Sequence, residues 1–363
     1  MKKSLIALAV LAASGAAMAQ SSVTLYGVAD AGVTVVDGAK TWSGLTSGNN
    51  LTSRLGFRGV EDLGGGLKAN FRIEGGLNLD NGDGASGYSG AKPGDGFVFK
   101  RNATVGLQGG FGEVRLGREL TAAYNAVARY DVFGSVGLGA SQLWGNGGVG
   151  DAGALSQSGR TTDQRVSNAV TYVTPNFGGF KVGVNYGFGE VAGKNSQGRY
   201  LGLGATYDNG PLSLGLSAEQ LSRDLSATSA GDITAYSLGG SFDLGVAKLL
   251  AGYRQSTVDD FNMVGGVEAK RKGYMLAVTA PVGPGLVRAA YNRYQDSQTG
   301  AADAKADHFA IGYVYSLSKR TSVYGTYAYL KNKNSGTRFS INGDAGLDNG
   351  KQQGLQLGVS HTF

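Results

Sequence analysis

Apolar and polar residues alternate with a period of two over short segments along most of the chain. Residues 67–74 read LKANFRIE, in which the apolar side chains share one face while Lys68, Arg72 and Glu74 lie on the other. Residues 180–188 show the same period, with aromatic side chains at both ends of the apolar face. A period of two is that of a β-strand. One apolar and one polar face per strand is typical of a transmembrane β-barrel, whose outer wall meets lipid and whose interior meets water.

Sixteen segments of this kind follow one another along the chain. Their predicted starts lie near Val23, Leu51, Leu67, Phe97, Glu113, Asp163, Phe180, Arg199, Leu212, Asp232, Ala247, Gly273, Leu286, Asp307, Ser322 and Gln353. We therefore predict an all-β fold, a 16-stranded antiparallel transmembrane β-barrel. Because a barrel of about sixteen strands is too wide for side chains to fill, the prediction includes a water-filled lumen.

The connections between these segments alternate between two lengths. Short turns are predicted at Glu61–Gly66, Gly109–Glu113, Pro175–Gly179, Asp208–Pro211, Asp243–Ala247, Ala280–Gly285 and Ser316–Thr321. Longer polar loops include Val35–Asn50, Asn78–Gly96, Thr257–Lys272, Asp296–Ala306 and Lys331–Lys351. Short turns at one membrane surface and long loops at the other are the layout of a bacterial outer-membrane barrel with both chain ends in the periplasm.

The stretch between Arg118 and Asp163 is the longest part of the chain without sustained alternation. It is rich in glycine and contains aromatic side chains, among them Tyr130, Phe133 and Trp144, which favour packing against another surface. A loop of this size is usually disordered or functional. Two interpretations stay open, an external loop over the barrel mouth and a loop folded into the lumen that narrows it.

Residues 1–19 have the three parts of a cleavable signal peptide. Two lysines follow Met1, an apolar stretch runs from Leu5 to Ala13, and Ala17-Met18-Ala19 supplies the small-residue cleavage site. The apolar stretch is well short of the roughly 20 residues that a spanning helix needs. We expect residues 1–19 to be removed and residues 20–363 to form the barrel.

The composition argues against several other classes of protein. The chain has no cysteine, so neither disulfides nor thiol chemistry is expected. No later apolar run is long enough for a membrane helix, and the mean hydropathy is −0.12. The formal net charge is +6, of which two lysines belong to the leader, and no cluster of five or more Lys or Arg appears. We therefore predict no nucleic-acid partner.

Catalysis is not expected either. The chain has two histidines, His308 and His361. His308 alternates with Phe309 and Ile311 and is interpreted as a wall or loop-edge residue. A hydrolase would need a nucleophile beside an oriented base, and a metal site would need more soft or imidazole ligands. We predict no enzyme activity, no metal site and no cofactor.

Several arginines are predicted to face water inside the barrel. Arg54 and Arg58 alternate with Leu55 and Phe57, and Arg72 and Glu74 alternate with Phe71 and Ile73. Arg165 is assigned to the face opposite Val166 and Val170. Any barrel lines its lumen with polar groups, so a single arginine indicates an ordinary lumen-lining residue rather than a selectivity filter. Several guanidinium groups on neighbouring strands could form a ring that attracts anions.

Arg101 does not fit this alternation. Strict parity groups it with Ala103, Val105 and Leu107 on the lipid face, where a midplane arginine costs about 2–4 kcal/mol. Either a bulge at Lys100-Arg101 swaps the faces or Arg101 lies near the loop end of its strand.

The chain resembles the trimeric general-diffusion porins of Gram-negative outer membranes, in particular the beta-proteobacterial branch. The segments that carry this resemblance are residues 22–27 (SVTLYG), 53–69 (SRLGFRGVEDLGGGLKA), 111–118 (FGEVRLGR), 172–180 (YVTPNFGGF), 317–321 (LSKRT) and the terminal Phe363. The resemblance implies a long third loop folded into the pore and a homotrimer. It also implies an outer-membrane location and passive transport of small anions and hydrophilic solutes.

In that branch an arginine cluster faces acidic residues at the pore constriction. The resemblance places the cluster at Arg54, Arg101 and Arg165, and the acidic partners at Glu74 and Asp131. The chain departs from the family where Asn102 stands in place of a frequent basic residue. Arg129 either compensates for that change or points elsewhere.

The resemblance also implies partners outside the pore. Phe363 ends an alternating segment and looks like the recognition signal for the barrel assembly machinery, while a last strand that ends at an aromatic girdle is an equally compatible interpretation. Outer-membrane lipid and lipopolysaccharide are the expected surroundings. The alternatives to a general-diffusion channel are a solute-specific porin and an adhesive or receptor barrel.

Overall fold

The computed structural model describes residues 22–84, 96–144, 164–190, 192–193, 196–222, 231–259, 267–333, 339–342 and 344–363. The predicted signal peptide, residues 1–19, lies outside these residues. The strands are β1 (Ser22–Asp37), β2 (Thr41–Ser47), β3 (Arg54–Gly64), β4 (Leu67–Gly76), β5 (Asn102–Gly109), β6 (Gly112–Leu120), β7 (Arg165–Val173), β8 (Phe180–Gly187), β9 (Tyr200–Asn209), β10 (Leu212–Leu221), β11 (Ile233–Asp243), β12 (Lys248–Val258), β13 (Ala269–Val282), β14 (Gly285–Gln298), β15 (Ala304–Ser316), β16 (Thr321–Lys333) and β17 (Lys351–Thr362). Among the described residues, no helix has the length and apolar character needed to cross a membrane.

The strands form one closed antiparallel sheet. Neighbours along the chain pair from β3 to β17, and β17 pairs with β1 over Val28–Asp37. Closure extends to the last residue, because the Gly27 amide donates to the Phe363 carbonyl at 3.0 Å and the Phe363 amide donates to the Gly27 carbonyl at 3.2 Å. A closed sheet has no edge with unpaired backbone groups, which is the condition for a sheet to lie in lipid.

Two of the seventeen strands share one position in the barrel. β2 pairs with the second half of β1, from Ala31 to Asp37, and β3 pairs with the first half, from Ser22 to Val28. The sheet therefore has sixteen positions, as predicted. The expectation of a loop over Val35–Asn50 was wrong in part, because β1 and β2 continue there as a hairpin.

Asp30 organises the break between β2 and β3. Its buried carboxylate accepts the backbone N–H groups of Asn49, Asn50 and Leu51 at 2.8–3.2 Å and the Tyr324 hydroxyl at 2.7 Å. Three of these four donors are backbone groups that the interrupted ladder would otherwise leave unpaired. This bend brings Arg54 to the start of β3.

The predicted turns agree with the structure more closely than the predicted loops do. All seven short turns connect consecutive strands as expected. The loop predicted over Asp296–Ala306 is only a short connection, because β14 continues to Gln298 and β15 begins at Ala304. β5 begins at Asn102 rather than at Phe97. In both places the alternation of apolar and polar residues does not show where the hydrogen-bonded strand begins or ends.

Each strand has an exposed apolar face and an opposite face that we call the polar face. On β11, Tyr236 and Leu238 are exposed, while Ala235 and Ser237 are buried. A short helix, α1 (Ala122–Val127), follows β6 and continues into a 3-10 turn, Ala128–Tyr130. The Thr121 side chain caps α1 by accepting the Tyr124 amide at 3.1 Å. α1 contacts β8, β9, β10 and β11 on their polar face.

Candidate functional site

Three arginines contact the carboxylate of Glu74 on the polar face, and a fourth, Arg165 at the start of β7, contacts one of them. Glu74 lies near the end of β4, and its side chain is 4% exposed. The guanidinium of Arg101 donates to it at 2.8 Å and that of Arg72 at 2.6 Å, while Arg54 lies 3.7 Å away. The Tyr26 hydroxyl donates to the same carboxylate at 2.9 Å. The predicted residues Arg54 and Arg101 thus both contact the predicted residue Glu74.

The position of Arg101 follows from its place just before β5. Within the strand, Thr104 is buried and Val105 is exposed, so the lipid-face parity holds from Asn102 onwards. Arg101 precedes the first ladder residue, and its amide donates to the Glu74 carbonyl at 3.0 Å. Of the two alternatives, the loop-end placement is therefore the observed one. Parity does not apply at this bend, and the guanidinium reaches the polar face.

Arg165 contacts these residues through the backbone carbonyl of Arg101. It is the first residue of β7, and its Nε donates to the Arg101 carbonyl at 2.8 Å. The expectation that Val166 and Val170 share a face was wrong, since Val166 is buried and Val170 is exposed. The ladder between β6 and β7 shifts register in between, and Asn168 has a φ of 53°. An extra residue on one strand changes which face the following side chains occupy.

We call Arg54, Arg72, Arg101, Arg165 and Glu74 the arginine cluster. Its four guanidinium groups and one carboxylate leave three positive charges. Arg72 also lies with its charge over the Tyr26 ring, 5.6 Å from the centroid, and its side chain is 49% exposed. Because a guanidinium group stays charged at any physiological pH, the cluster is a permanent concentration of positive charge on the polar face.

Asp131, the second predicted acidic residue, lies in the segment after α1. Its carboxylate accepts the backbone N–H groups of Phe133, Ser135 and Ser141 at 2.9–3.0 Å. Burial raises the pKa of the Asp131 carboxyl, and the three N–H donors and the charge of Arg288 oppose that rise. Burial likewise raises the pKa of the nearby Tyr124 hydroxyl, which stays neutral. Asp131 thus holds together the turn that contains it.

Residues 121–144 form a continuous segment, which we call the inner segment, against the polar face of β8–β17. Its large side chains lie over glycines of the wall. A Cβ atom at Gly252 would lie 2.5 Å from the Trp144 ring, and one at Gly273 would lie 2.8 Å from Leu143. Close approaches of this kind involve Gly204, Gly215, Gly239, Gly252, Gly273, Gly312 and Gly354. Glycine at these positions allows helix and loop to approach the strand backbone closely.

Polar side chains of the wall also bind the inner segment. Nε2 of buried His308 lies 3.0 Å from the Leu138 carbonyl, and the Ser141 hydroxyl donates to the Asn292 side chain at 2.6 Å. The Gln142 amide donates to the Tyr294 hydroxyl at 3.0 Å. His308 is therefore a wall residue on the face opposite exposed Phe309, as predicted.

Two further arginines in this region, Arg129 and Arg288, have partners outside the arginine cluster. Arg129 makes a two-pronged ion pair with Asp208, at 2.9 and 3.0 Å, near the turn between β9 and β10. It therefore points away from the arginine cluster and does not replace a basic residue at Asn102. Arg288 lies over the Phe133 ring, 4.5 Å from its centroid, and donates to the Val132 carbonyl at 3.3 Å.

The sequence alone did not assign Arg72 and Tyr26 to the site, nor the glycines under the inner segment. Parity placed Arg72 on the polar face, two residues from Glu74 on the same strand. That spacing gave no sign that Arg72 shares the Glu74 carboxylate with Arg54 and Arg101. The glycines did carry a signal, since they recur at polar-face positions on consecutive strands. Within the described ranges no group of three or more His, Cys, Asp or Glu side chains could hold a metal ion.

Comparison with known proteins gives consistent results. A family model described as Gram-negative porin matches residues 5–335. Outer membrane porin protein 32 of Delftia acidovorans is 44% identical over 376 residues, with both chains covered completely. An outer membrane porin protein of Bordetella pertussis is 32% identical over 417 residues, again with 100% of both chains covered.

The solved structures agree with these relatives. A structure described as an anion-selective porin from Comamonas acidovorans has a TM-score of 0.78 and 38% identity, and covers 95% of this chain and 100% of its own. The trimer form of the outer membrane protein OmpT from Vibrio cholerae has a TM-score of 0.68 and 17% identity, and covers 94% of this chain and 99% of its own. At that identity the second match concerns the fold alone.

Proposed function

The chain belongs to the Gram-negative porin family, and we propose that its arginine cluster makes the channel prefer anions. As a member of that family it is an outer-membrane β-barrel through which small hydrophilic solutes diffuse passively. The observation that carries the proposal is the charge balance of the arginine cluster, in which three guanidinium groups contact the one carboxylate of Glu74 and a fourth, that of Arg165, contacts the Arg101 carbonyl. The name of the similar Comamonas acidovorans protein, an anion-selective porin, supports the same sign.

The inner segment is proposed to lie in the lumen and to narrow it opposite the cluster. Its contacts with polar-face glycines and with His308 and Asn292 support this placement. A solute would then pass between the arginine cluster on one wall and the inner segment on the other. A charged passage of reduced width selects by charge without any chemistry.

The test is the zero-current potential in a planar bilayer under a salt gradient. The variant Arg54→Gln, Arg101→Gln, Arg165→Gln leaves Arg72 and Glu74, whose charges cancel. We expect the wild-type potential on the anion side and the variant near zero or on the cation side. Lys248→Gln, Lys319→Gln, Arg320→Gln removes three charges at the short-turn end and serves as the control. An unchanged potential in the arginine variant would place the filter elsewhere.

A homotrimer is proposed from the distribution of tyrosine on the outer wall. The described outward positions of β17 and β1–β6 contain no tyrosine, whereas β7, β8, β9, β11 and β12–β16 all present one. Aromatic residues form girdles where a barrel meets the two lipid interfaces. The wall without tyrosine, which we call the smooth wall, is accordingly proposed to face another subunit.

The remaining partners are also proposals. The Phe363 ring covers Gly27 on the outer face beside the closing strand pair, where assembly factors could reach it before closure. Depletion of the assembly machinery should then reduce insertion of the wild type more than that of a Phe363→Ala variant. Residues 1–19 are proposed to be removed, which the intact mass of the exported protein tests. No catalytic activity is expected, and an assay for lipase activity on the purified protein addresses that expectation.

A further inference from the structure

A cavity of about 330 Å³ lies on the polar face of β9–β12, between the inner segment and the short turns. In the cross-strand register, one row across these four strands lines the cavity, and it consists of Asp208, Ser213, Ser241 and Leu250. The row lies two residues closer to the short turns than the glycines beneath Tyr130. We call this cavity the side pocket. Its volume falls within the range of small-molecule sites, about 300–1,000 Å³.

Two ion pairs line the side pocket. The guanidinium of Arg129 binds Asp208 at 2.9 and 3.0 Å. Opposite this pair, Nζ of Lys248 lies 3.6 Å from the carboxylate of Asp243. All four side chains are between 41% and 47% exposed. Exposed ion pairs contribute little to stability, so stability does not explain why two of them face one cavity.

The polar groups of the side pocket retain hydrogen-bonding capacity. The separation of 3.6 Å is too long for a hydrogen bond between Lys248 and Asp243, and only Oδ1 of Asp243 accepts a backbone amide, that of Gly245 at 2.8 Å. Arg129 uses two of its five N–H donors on Asp208. Within the described ranges, the Ser241 side chain makes no hydrogen bond. Donors and acceptors are therefore available on both sides of the cavity.

The charges of the side pocket balance, and each cation lies beside a carboxylate. A simple anion drawn to Lys248 would also be repelled by Asp243, and a simple cation would meet the reverse. A molecule that carries both charges avoids this conflict. Its ammonium group can donate to Asp243 while its carboxylate accepts from Lys248 and Ser241. Charge-assisted hydrogen bonds of this kind are stronger than neutral ones.

The opposite side of the pocket suits a carboxamide group. Asp208 accepts two hydrogen bonds from Arg129 and one from the Ser213 hydroxyl, at 2.6 Å, which leaves room for about one more. A carboxamide can donate from its nitrogen to Asp208 and accept at its oxygen from a remaining N–H of Arg129. Because it carries no net charge, it does not disturb the ion pair.

We propose that the side pocket binds a free zwitterionic α-amino acid with a carboxamide side chain, such as glutamine. The α-ammonium and α-carboxylate groups bind Asp243 and Lys248, and the side chain reaches Arg129 and Asp208. The inference rests on the proposed function, in which the polar face lines the channel. It adds a class of solute that the anion preference of the arginine cluster would not by itself select.

The experiment measures the affinity of L-glutamine for the detergent-solubilised oligomer by saturation-transfer NMR. Two analogues of the same length each lack one charge, since glutaramate has no ammonium group and 4-aminobutyramide has no carboxylate. We expect each analogue to bind at least about fivefold more weakly than glutamine. Equal binding of either analogue would replace the zwitterion with a simple ion and overturn the proposal. Norvaline, which has a methyl group in place of the carboxamide, should also bind more weakly, and equal binding would contradict the contacts with Arg129 and Asp208.

A charge-neutral variant tests the location of the site. Asp243→Asn, Lys248→Gln removes one ion pair and keeps the oxygen that accepts the Gly245 amide, so the turn between β11 and β12 should be preserved. Glutamine should bind this variant at least about fivefold more weakly than the wild type. The control Glu268→Gln, Lys270→Gln removes a 2.6 Å ion pair at the long-loop end of β13 and should bind glutamine normally. Unchanged affinity in the pocket variant would overturn the proposal.

The zero-current potential distinguishes this proposal from the proposed function. The pocket variant has the net charge of the wild type and an intact arginine cluster, so its potential should equal that of the wild type. Loss of glutamine binding with an unchanged potential supports the side pocket. Normal glutamine binding in a wild-type channel without anion preference would support the side pocket and contradict the assignment of the arginine cluster. Absence of glutamine binding in an anion-preferring wild-type channel would overturn the side pocket alone.

Discussion

At the scale of single residues, Glu74 decides how the cluster is arranged. One carboxylate accepts from Arg101, Arg72 and Tyr26 at once, and it holds the guanidinium of Arg101 at a bend where strand parity does not apply. Both members of the Arg101–Glu74 pair are nearly buried. Buried charges of this kind depend on each other, because a remaining partner has lost its water without gaining another counter-charge.

The variant Glu74→Gln should affect selectivity and stability in opposite senses. Removing the carboxylate leaves four uncompensated guanidinium groups, so the zero-current potential should move further to the anion side. Stability should fall by about 3 kcal/mol, because Arg101 loses its buried partner. Planar-bilayer recording and thermal unfolding of the detergent-solubilised protein measure the two effects. Glu61→Gln, on the exposed short-turn end of β3, is the control, and a similar shift there would contradict the local role of Glu74.

At the scale of elements, the barrel wall and the inner segment are fitted to each other by glycine. Tyr130 lies against Gly239 on the polar face of β11, and Gly215 of β10 admits the backbone of α1 at Ala126. The aromatic side chains that seemed to require a packing surface in the sequence find it on the barrel wall. Because α1 has only six residues, its place depends on these contacts rather than on helix stability of its own.

A pair of neighbouring glycines tests this fit. A Cβ atom at Gly239 would overlap the Tyr130 ring, whereas one at Gly240, on the opposite face, would lie 3.1 Å from a methyl group of Leu214 and 3.3 Å from the Ser213 carbonyl oxygen. Gly239→Val should displace Tyr130 towards the channel axis and lower the single-channel conductance. Gly240→Val should leave the conductance unchanged. Equal conductance in both variants would contradict a lumenal position of the inner segment.

At the scale of the whole molecule, the outer wall is divided into unlike regions. The smooth wall of β17 and β1–β6 presents aliphatic side chains such as Val33, Leu45 and Leu357. The rest of the circumference, from β7 to β16, presents tyrosine side chains on all strands except β10. A barrel surrounded by lipid alone would have no reason to restrict tyrosine to part of its wall.

Val33→Trp should weaken the proposed trimer, because Val33 lies between Leu45 and Leu357 at the centre of the smooth wall. An oversized side chain in a packed interface costs about 1–3 kcal/mol. Leu238→Trp on β11 adds the same bulk to a wall proposed to face lipid and should be tolerated. Semi-native gel electrophoresis over a temperature series measures oligomer stability. Equal trimer stability in the two variants would remove the smooth wall as the interface.

The period-two pattern determined the strands because each strand of a barrel separates lipid from water along its own length. It therefore located the seven short turns and the sixteen positions, and it placed Arg54, Arg72 and Glu74 on the polar face. The pattern is less informative at the ends of strands, where the hydrogen-bonded ladder stops. It missed β2, which continues β1 as a hairpin, and the early start of β15.

The resemblance to a known family predicted that Arg54, Arg101, Arg165 and Glu74 form one site. The local sequence pattern could not show the contacts between them. Arg101 and Arg165 lie at a bend and at the start of a strand, where alternation no longer fixes the direction of a side chain. Their guanidinium groups are positioned by Glu74 and by the Arg101 carbonyl, on elements distant in sequence.

The sequence by itself thus determined everything that depends on neighbours along a strand: the barrel, its turns and the face of each regular strand residue. Only the tertiary structure decided what depends on contacts between strands and loops. These are the sharing of one carboxylate by three arginines and the packing of the inner segment over the polar-face glycines. The physical reason is that register and closure bring together residues whose separation along the chain carries no period.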